Sequence, residues 1–176
     1  MKKIMIIDGG PRKNFNTASM LQKFAEGAMS VGNALTPILE EIAQADGLVL
    51  GSPIYFGQIT GQMQAFLERL AFPWLSYNDY SMTAPKKMPV VLMETMNGLP
   101  DNNNSQGYGP MEYCITNALG EPEHINAYNT YQVKSYDRFE LAGFSEEAKR
   151  QWRDEHWEED LQKAYDAGKR MAEKMA

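Results

Sequence analysis

A single cysteine, Cys114, occurs in this chain of 176 residues. No internal disulfide can form, and a reducing compartment is the expectation. Histidine is almost as scarce: His124 and His156 lie in no metal-ligand spacing, and both read as structural or surface residues. Positive charge is in deficit, with a net charge of −6 and a pI of about 5.0. That balance argues against a broad nucleic-acid surface. No apolar stretch is long enough to span a bilayer. Asp8 interrupts the first apolar run early, so no secretory leader is expected and the cytoplasm is the default location. The Gly-Lys-Ser/Thr of a Walker loop and the G-x-G-x-x-G dinucleotide fingerprint are both missing. With no internal repeat and no linker composition, one domain over 1–176 is expected.

Against these absences stands a dense amino-terminal stretch. Ile4-Met5-Ile6-Ile7 is a four-residue apolar run that reads as a strand buried on both faces. Gly9-Gly10-Pro11 stops it, and Asn16 or Thr17 can cap the helix that follows. Ala18, Leu21, Phe24, Ala25 and Ala28 then recur on one helical face, up to a stop at Gly32. A glycine-bearing loop feeding a helix gathers free N–H groups at the positive helix end, where a phosphate binds well. Arg12 and Lys13 would add charge, and Asn16 and Thr17 neutral donors. Taken alone, the stretch fits an ordinary strand-to-helix turn equally well.

The alternation continues. Leu35, Ile38, Leu39 and Ile42 mark a short second helix, 47–51 a second buried strand, and 52–57 a loop. Thr60 or Gly61 opens a helix with Met63, Phe66, Leu67 and Leu70 inward. The stretch 71–85 is irregular, with Phe72, Trp74, Tyr77 and Tyr80 among two prolines, and 71–82 is expected at or near a subunit contact rather than as a lid. A third strand is expected over 88–93, a polar loop over 94–109, a helix over 110–119 and, from its alternating stretches, a last strand over 124–133. Ser145 caps a long final helix whose inward stripe is Leu161, Ala164, Gly168, Met171 and Met175, its charge runs reading as a solvated face. Cys114 falls within a helical pattern and reads as a small buried apolar residue. Alternating strands and helices imply an α/β fold with a parallel sheet. Ligands in such sheets sit beyond the carboxyl ends of the strands, where the first loop, 52–61 and 94–109 all lie.

Two of these loops carry a resemblance. Gly10-Pro11-Arg12-Lys13-Asn14-Phe15-Asn16-Thr17-Ala18 resembles the phosphate loop of flavodoxin-like NAD(P)H-dependent FMN reductases. Ala45-Asp46-Gly47-Leu48-Val49-Leu50-Gly51-Ser52-Pro53-Ile54-Tyr55-Phe56-Gly57 is similar to their flavin-ring loop, and 61–69 continues it in the expected order. The resemblance is weakest over 97–133. It implies a flavodoxin-like three-layer sandwich of sheet order 2-1-3-4-5, non-covalent FMN, NAD(P)H as donor, and a quinone, flavin or similar small-molecule acceptor. By position, Arg12, Asn16 and Thr17 would hold the phosphate within the loop formed by Gly10, Pro11, Asn14 and Ala18. Pro53, Ile54, Tyr55, Phe56 and Gly57 would lie along the ring, and Thr95, Met96, Asn97 and Gly98 would close the third side. The cofactor carries such chemistry, so no catalytic side chain is named. A homodimer is expected, with no nucleic-acid or membrane partner. An electron-carrier flavoprotein and a binding protein that has lost its flavin are the alternatives.

Two departures stand out. The family usually has serine where Gly10 stands. Second, a strand and long loop normally separate the first two helices, whereas here only Asn33 and Ala34 do, and no cysteine cluster exists to hold an iron–sulfur centre. Three extended steps from Gly32 to Leu35 reach about 10–11 Å, too little for the standard crossover. Residues absent between the two helices, a missing edge strand, or a helix exchanged between subunits would each explain this. The first is favoured, and predicts neighbouring Cα atoms near 32–34 farther apart than a trans peptide allows.

Overall fold

A computed structural model describes residues 4–10, 15–29, 39–102, 106–141 and 143–175. The expected break near 32–34, the second helix before Leu39, and the asparagines 103–104 lie outside the described residues.

The run Ile4–Asp8 forms strand β1, and helix α1 spans Asn16–Met29. A single turn, α2, covers Leu39–Ile42, followed by strand β2 at Gly47–Tyr55. A two-residue strand β3 (Gln58–Ile59) precedes helix α3 at Gly61–Ala71. Strand β4 (Val90–Thr95), helix α4 (Pro110–Ala118), strand β5 (Glu123–Ala127) and helix α5 (Glu146–Lys174) complete the order. The long strands pair in parallel in the order β1-β2-β4-β5, and β3 folds back antiparallel onto β2. In flavodoxin numbering this is the 1-3-4-5 portion of the expected sheet. Among the described residues β1 pairs with β2 alone.

Period-two alternation divides the core. Met5, Leu48, Leu50, Val90 and Leu92 pack against Met63, Leu67 and Ile115 of α3 and α4. Ile4, Val49, Val91, Met93 and Ile125 pack against Phe24 of α1 and Ala164 and Met171 of α5. Gly51 lies where a Cβ would come within 2.7 Å of the Leu21 side chain, and a Cβ on Gly27 would come within 2.2 Å of the Tyr165 carbonyl oxygen. These contacts draw α1 down onto the sheet and against α5. The alternation is a three-layer α/β sandwich.

Four expectations change. β2 does not stop at Gly51; it runs on through Ser52 and Pro53, which lie in register opposite Glu94 and Thr95. Pro53 lacks a donor yet is accommodated near the strand end. Glu94 and Thr95 accordingly belong to β4 rather than to a polar loop. β5 ends at Ala127, because Asn129 adopts φ 47° and turns the chain. Trp74 is buried in the α3/α4 core and so is unavailable to a subunit contact.

Candidate functional site

The carboxyl ends of β1, β2 and β4 meet the first turn of α1 in a cleft. Gly10, Phe15, Asn16 and Thr17 form one wall, Pro53 and Tyr55 the second, and Thr95 the floor. Thr130, Tyr131 and Gln132 arrive from beyond β5 and form the third wall. The enclosed volume is about 30 Å³, room for one or two waters, and the cleft opens to solvent at its mouth.

Each wall is held by polar bonds between distant parts of the chain. Thr60 is the hub of the first two. Its Oγ1 donates to the Gly9 carbonyl at 2.7 Å and accepts from the Met63 N–H at 3.2 Å, capping α3. Its own N–H donates to Ser52 Oγ at 3.1 Å. The Thr17 and Thr95 hydroxyls bond to each other at 2.9 Å, tying α1 to β4. Asn16 Nδ2 donates to the Tyr131 carbonyl at 2.6 Å and so reaches the third wall.

The β2–β3 turn is a two-residue hairpin with positive φ at both positions, Phe56 at 53° and Gly57 at 81°. Glycine tolerates this; phenylalanine is strained there. The Phe56 side chain is fully exposed. A second segment clamps the turn: the Gln106 N–H donates to the Gly57 carbonyl at 2.7 Å, and the Ile59 N–H to the Gly107 carbonyl at 3.2 Å. Under that clamp lies Glu94, which is buried. Burial pushes its carboxyl above the usual range, with Glu112 adding to the rise, while His124 and the Tyr108 N–H oppose it. A Cβ on Gly107 would fall 2.1 Å from Glu94 Oε1, so only glycine lets the loop close over the carboxyl. Tyr108 is fully buried and donates from its hydroxyl to the Leu50 carbonyl at 2.7 Å. Burial holds that phenol well above its ordinary range.

The expected site residues divide clearly. Gly10, Asn16, Thr17, Pro53, Tyr55 and Thr95 are brought together in the cleft. Pro11, Arg12 and Asn14 lie outside the described residues. Ala18, Phe56 and Gly57 are not among the lining residues, and Ile54 packs toward the α3/α4 core instead. Met96 is buried, and its carbonyl accepts from the Thr130 N–H at 2.9 Å; the Gly98 carbonyl likewise accepts from the Asn129 N–H at 2.9 Å. Met96, Asn97 and Gly98 therefore support the third wall from behind rather than line the cleft. The Gly10 N–H is not free for a ligand, because it donates to Asp8 Oδ1 at 2.8 Å. Burial raises the Asp8 carboxyl above its usual range, and that same bond opposes the rise. Sequence reasoning missed Phe15 and the Thr130–Tyr131–Gln132 wall. The aromatic and hydroxyl content of 128–132 was an available signal, but the alternation over 124–133 read as a strand.

Residues 29–99 match the model of the NADPH-dependent FMN reductase family. An iron–sulfur flavoprotein of Methanocaldococcus jannaschii is 36% identical over 44 residues, which is 25% of this chain and 23% of that protein. The chain thus matches about a quarter of that curated relative's length. Among solved structures, a flavodoxin from the domain Archaea superposes with a TM-score of 0.63 at 14% identity, over 99% of each chain. An FMN-dependent NADH-azoreductase from Bacillus anthracis superposes with a TM-score of 0.68 at 10% identity, over 97% of this chain and 100% of the other. The matched segment supplies the second wall of the cleft and resembles that reductase family, while the sheet order and the superpositions show a flavodoxin-like fold.

Proposed function

We propose that the protein is an FMN-dependent oxidoreductase that takes reducing equivalents from NAD(P)H and delivers them to a small-molecule acceptor. The observation that carries this reading is the cleft at the carboxyl edge of the sheet. It joins the positive end of a 14-residue helix to a flat surface of Pro53 and Tyr55. Bound FMN would supply hydride transfer between the nicotinamide and the acceptor. The chain's own residues would bind and orient it. Asn16 and Thr17, at the start of α1, present neutral donors to a phosphate, and Arg12 adds charge. Pro53 and Tyr55 offer a face for the ring along the open mouth, and Thr95 lies beneath. Ala18 and the 96–98 segment would act by holding these groups in place. Phe56, strained and exposed at the hairpin tip, is placed to meet a molecule arriving over the ring. The match to an NADPH-dependent family model and the FMN named for the superposed azoreductase support this reading. A visible spectrum of the purified protein, followed by stopped-flow mixing with NADPH and NADH, tests it. Bound yellow flavin bleached by a nicotinamide is the expected result. Flavin bleached by neither donor would favour an electron carrier. Failure to retain FMN after reconstitution and desalting would end the flavin reading.

The protein is further proposed to be a homodimer. Phe72, Tyr77, Tyr80 and Tyr113 are all exposed. Phe72 rims an apolar groove that also takes in Leu75, Met82, Met111 and Cys114. Monomers seldom display such a patch.

A further inference from the structure

Lys149 is the most buried charged side chain among the described residues, 1% exposed, and nothing in the proposed reaction uses it. It lies in the first turn of α5. Its Nζ donates to Asn129 Oδ1 at 2.8 Å and to the Thr130 carbonyl at 3.1 Å. The Phe144 ring centroid lies 5.0 Å from the same Nζ. Among the described residues no carboxylate pairs with it. A buried ammonium held only by neutral oxygens and a ring face is costly, and it persists where something else depends on it.

We infer that Lys149 is a positioning residue for the flavin cleft: its ammonium clamps the Asn129–Thr130 turn, and through that turn both loops of the third wall. Asn129 sits at φ 47°, a left-handed turn conformation that asparagine tolerates. Its N–H donates to the Gly98 carbonyl, while the Thr130 N–H and Oγ1 both donate to the Met96 carbonyl, at 2.9 and 3.2 Å. Thr130, Tyr131 and Gln132 then run directly into the cleft, where Asn16 fastens the Tyr131 carbonyl from the far side. One ammonium thus holds the 96–98 loop and the 130–132 wall in a single register. The inference rests on the flavin reading for its ligand, though the clamp itself is a property of the protein alone.

Charge-assisted bonds are roughly twice as strong as neutral ones, so loss of the proton should loosen the wall. Burial lowers the Lys149 pKa to about 8, which brings that loss within reach of mild alkali. Among the described residues, burial alone accounts for that lowering. On α5, Glu146 and Arg150 are exposed, and Arg153 lies over the Tyr131 and Trp157 rings. Among the described residues, the turn meets the ammonium through Asn129 and Thr130, and the segment before the helix through Phe144.

The test is FMN titration by fluorescence quenching from about pH 7 to 9.5, on wild type, Lys149→Met and Asn129→Asp. For wild type, affinity should fall about tenfold with a midpoint near the lysine pKa. Lys149→Met should bind weakly with no such midpoint. Asn129→Asp supplies a carboxylate partner, so its midpoint should move upward; a merely structural lysine would not respond in this way. It also decides the matter if Lys149→Met fails to fold. A flat wild-type profile, a parallel profile in Lys149→Met, or an unmoved midpoint in Asn129→Asp would overturn the inference. If wild type binds no FMN, the flavin reading fails separately. Hydrogen exchange of the flavin-free protein then judges the clamp: faster exchange at the Asn129 and Thr130 amides in Lys149→Met sustains it, and equal exchange overturns it.

Discussion

Replacing Thr60 by valine should remove about 2–4 kcal/mol of stability, because one hydroxyl makes two bonds that valine cannot make. Thr60 is 3% exposed, and valine matches its shape, so packing is nearly unchanged. What is lost is the α3 cap to the Met63 N–H, typically about 1 kcal/mol. Also lost is the donor to the Gly9 carbonyl, 2.7 Å away, which is left buried without that partner at a cost of about 1–3 kcal/mol. Thr60→Ser is the control. It keeps both bonds and gives up one methyl, about 1 kcal/mol. Urea unfolding of the three proteins, compared at a common slope, measures the gap. A valine variant as stable as the serine variant would refute the reasoning. Because the same hydroxyl joins the first loop to the ring loop, valine should also weaken FMN more than serine does.

Arg12→Ala should weaken FMN while leaving riboflavin binding little changed, since a charged hydrogen bond to phosphate is worth about 1.5–3 kcal/mol; equal losses in parallel titrations would deny the contact. Glu94→Gln should stabilise at neutral pH, because burial raises this carboxyl and the folded state therefore pays for its charge. The advantage should shrink on acidification, as wild type protonates, and thermal unfolding across that range would reveal the opposite trend if the charge were favourable. Lys149 runs the other way along the pH axis. With its folded pKa near 8 against an ordinary 10.5, stability should climb between those values by up to about 3 kcal/mol, relative to Lys149→Met. Parallel stability curves for the two proteins would contradict this. Phe72→Ser with Tyr77→Ser should convert a dimer to a monomer in sedimentation at micromolar protein, and a wild-type monomer would remove the dimer proposal.

Much of the fold was legible because it rests on short-range pattern. Ile4–Ile7 followed by Gly9-Gly10-Pro11 marked β1 and its loop, and Ser145 marked the start of α5, where its side chain accepts from the Ala148 N–H. The site was legible where a motif named it and opaque where register set it. Nothing local says that β2 continues past Gly51; the pairing of Ser52 and Pro53 with Glu94 and Thr95 decides that, across forty-odd residues of chain. The segment 128–132 has strand-like composition, yet Asn129 is held in a turn by a lysine 20 positions away. Lys149 itself sits in a helix whose charges are mostly solvated, so its burial could not be read from the run. Trp74 was misplaced for a similar reason: proline-rich surroundings suggested a surface, and the α3/α4 core absorbed the ring.

The polar groups buried at the carboxyl edge are of two kinds, and their opposite predicted responses test one idea. The middle of the sheet is uniformly apolar, from Leu48 to Leu50 and from Val91 to Met93. Beyond it, Ser52, Thr60, Glu94, Thr95, Tyr108 and Lys149 are all buried. Thr60 and Tyr108 are neutral and bonded to backbone carbonyls, so removing their hydroxyls should cost stability. Glu94 and Lys149 carry charges that burial disfavours, so neutral replacements should cost little or nothing. A stability-driven core would have replaced these two. Glu94 shapes the clamp over the hairpin through Gly107, and Lys149 fixes the wall opposite α1. If the charges are kept for geometry, Glu94→Gln and Lys149→Met should hold or raise stability at neutral pH while binding FMN less well. Losses of stability and binding in step would instead make both groups ordinary parts of the core.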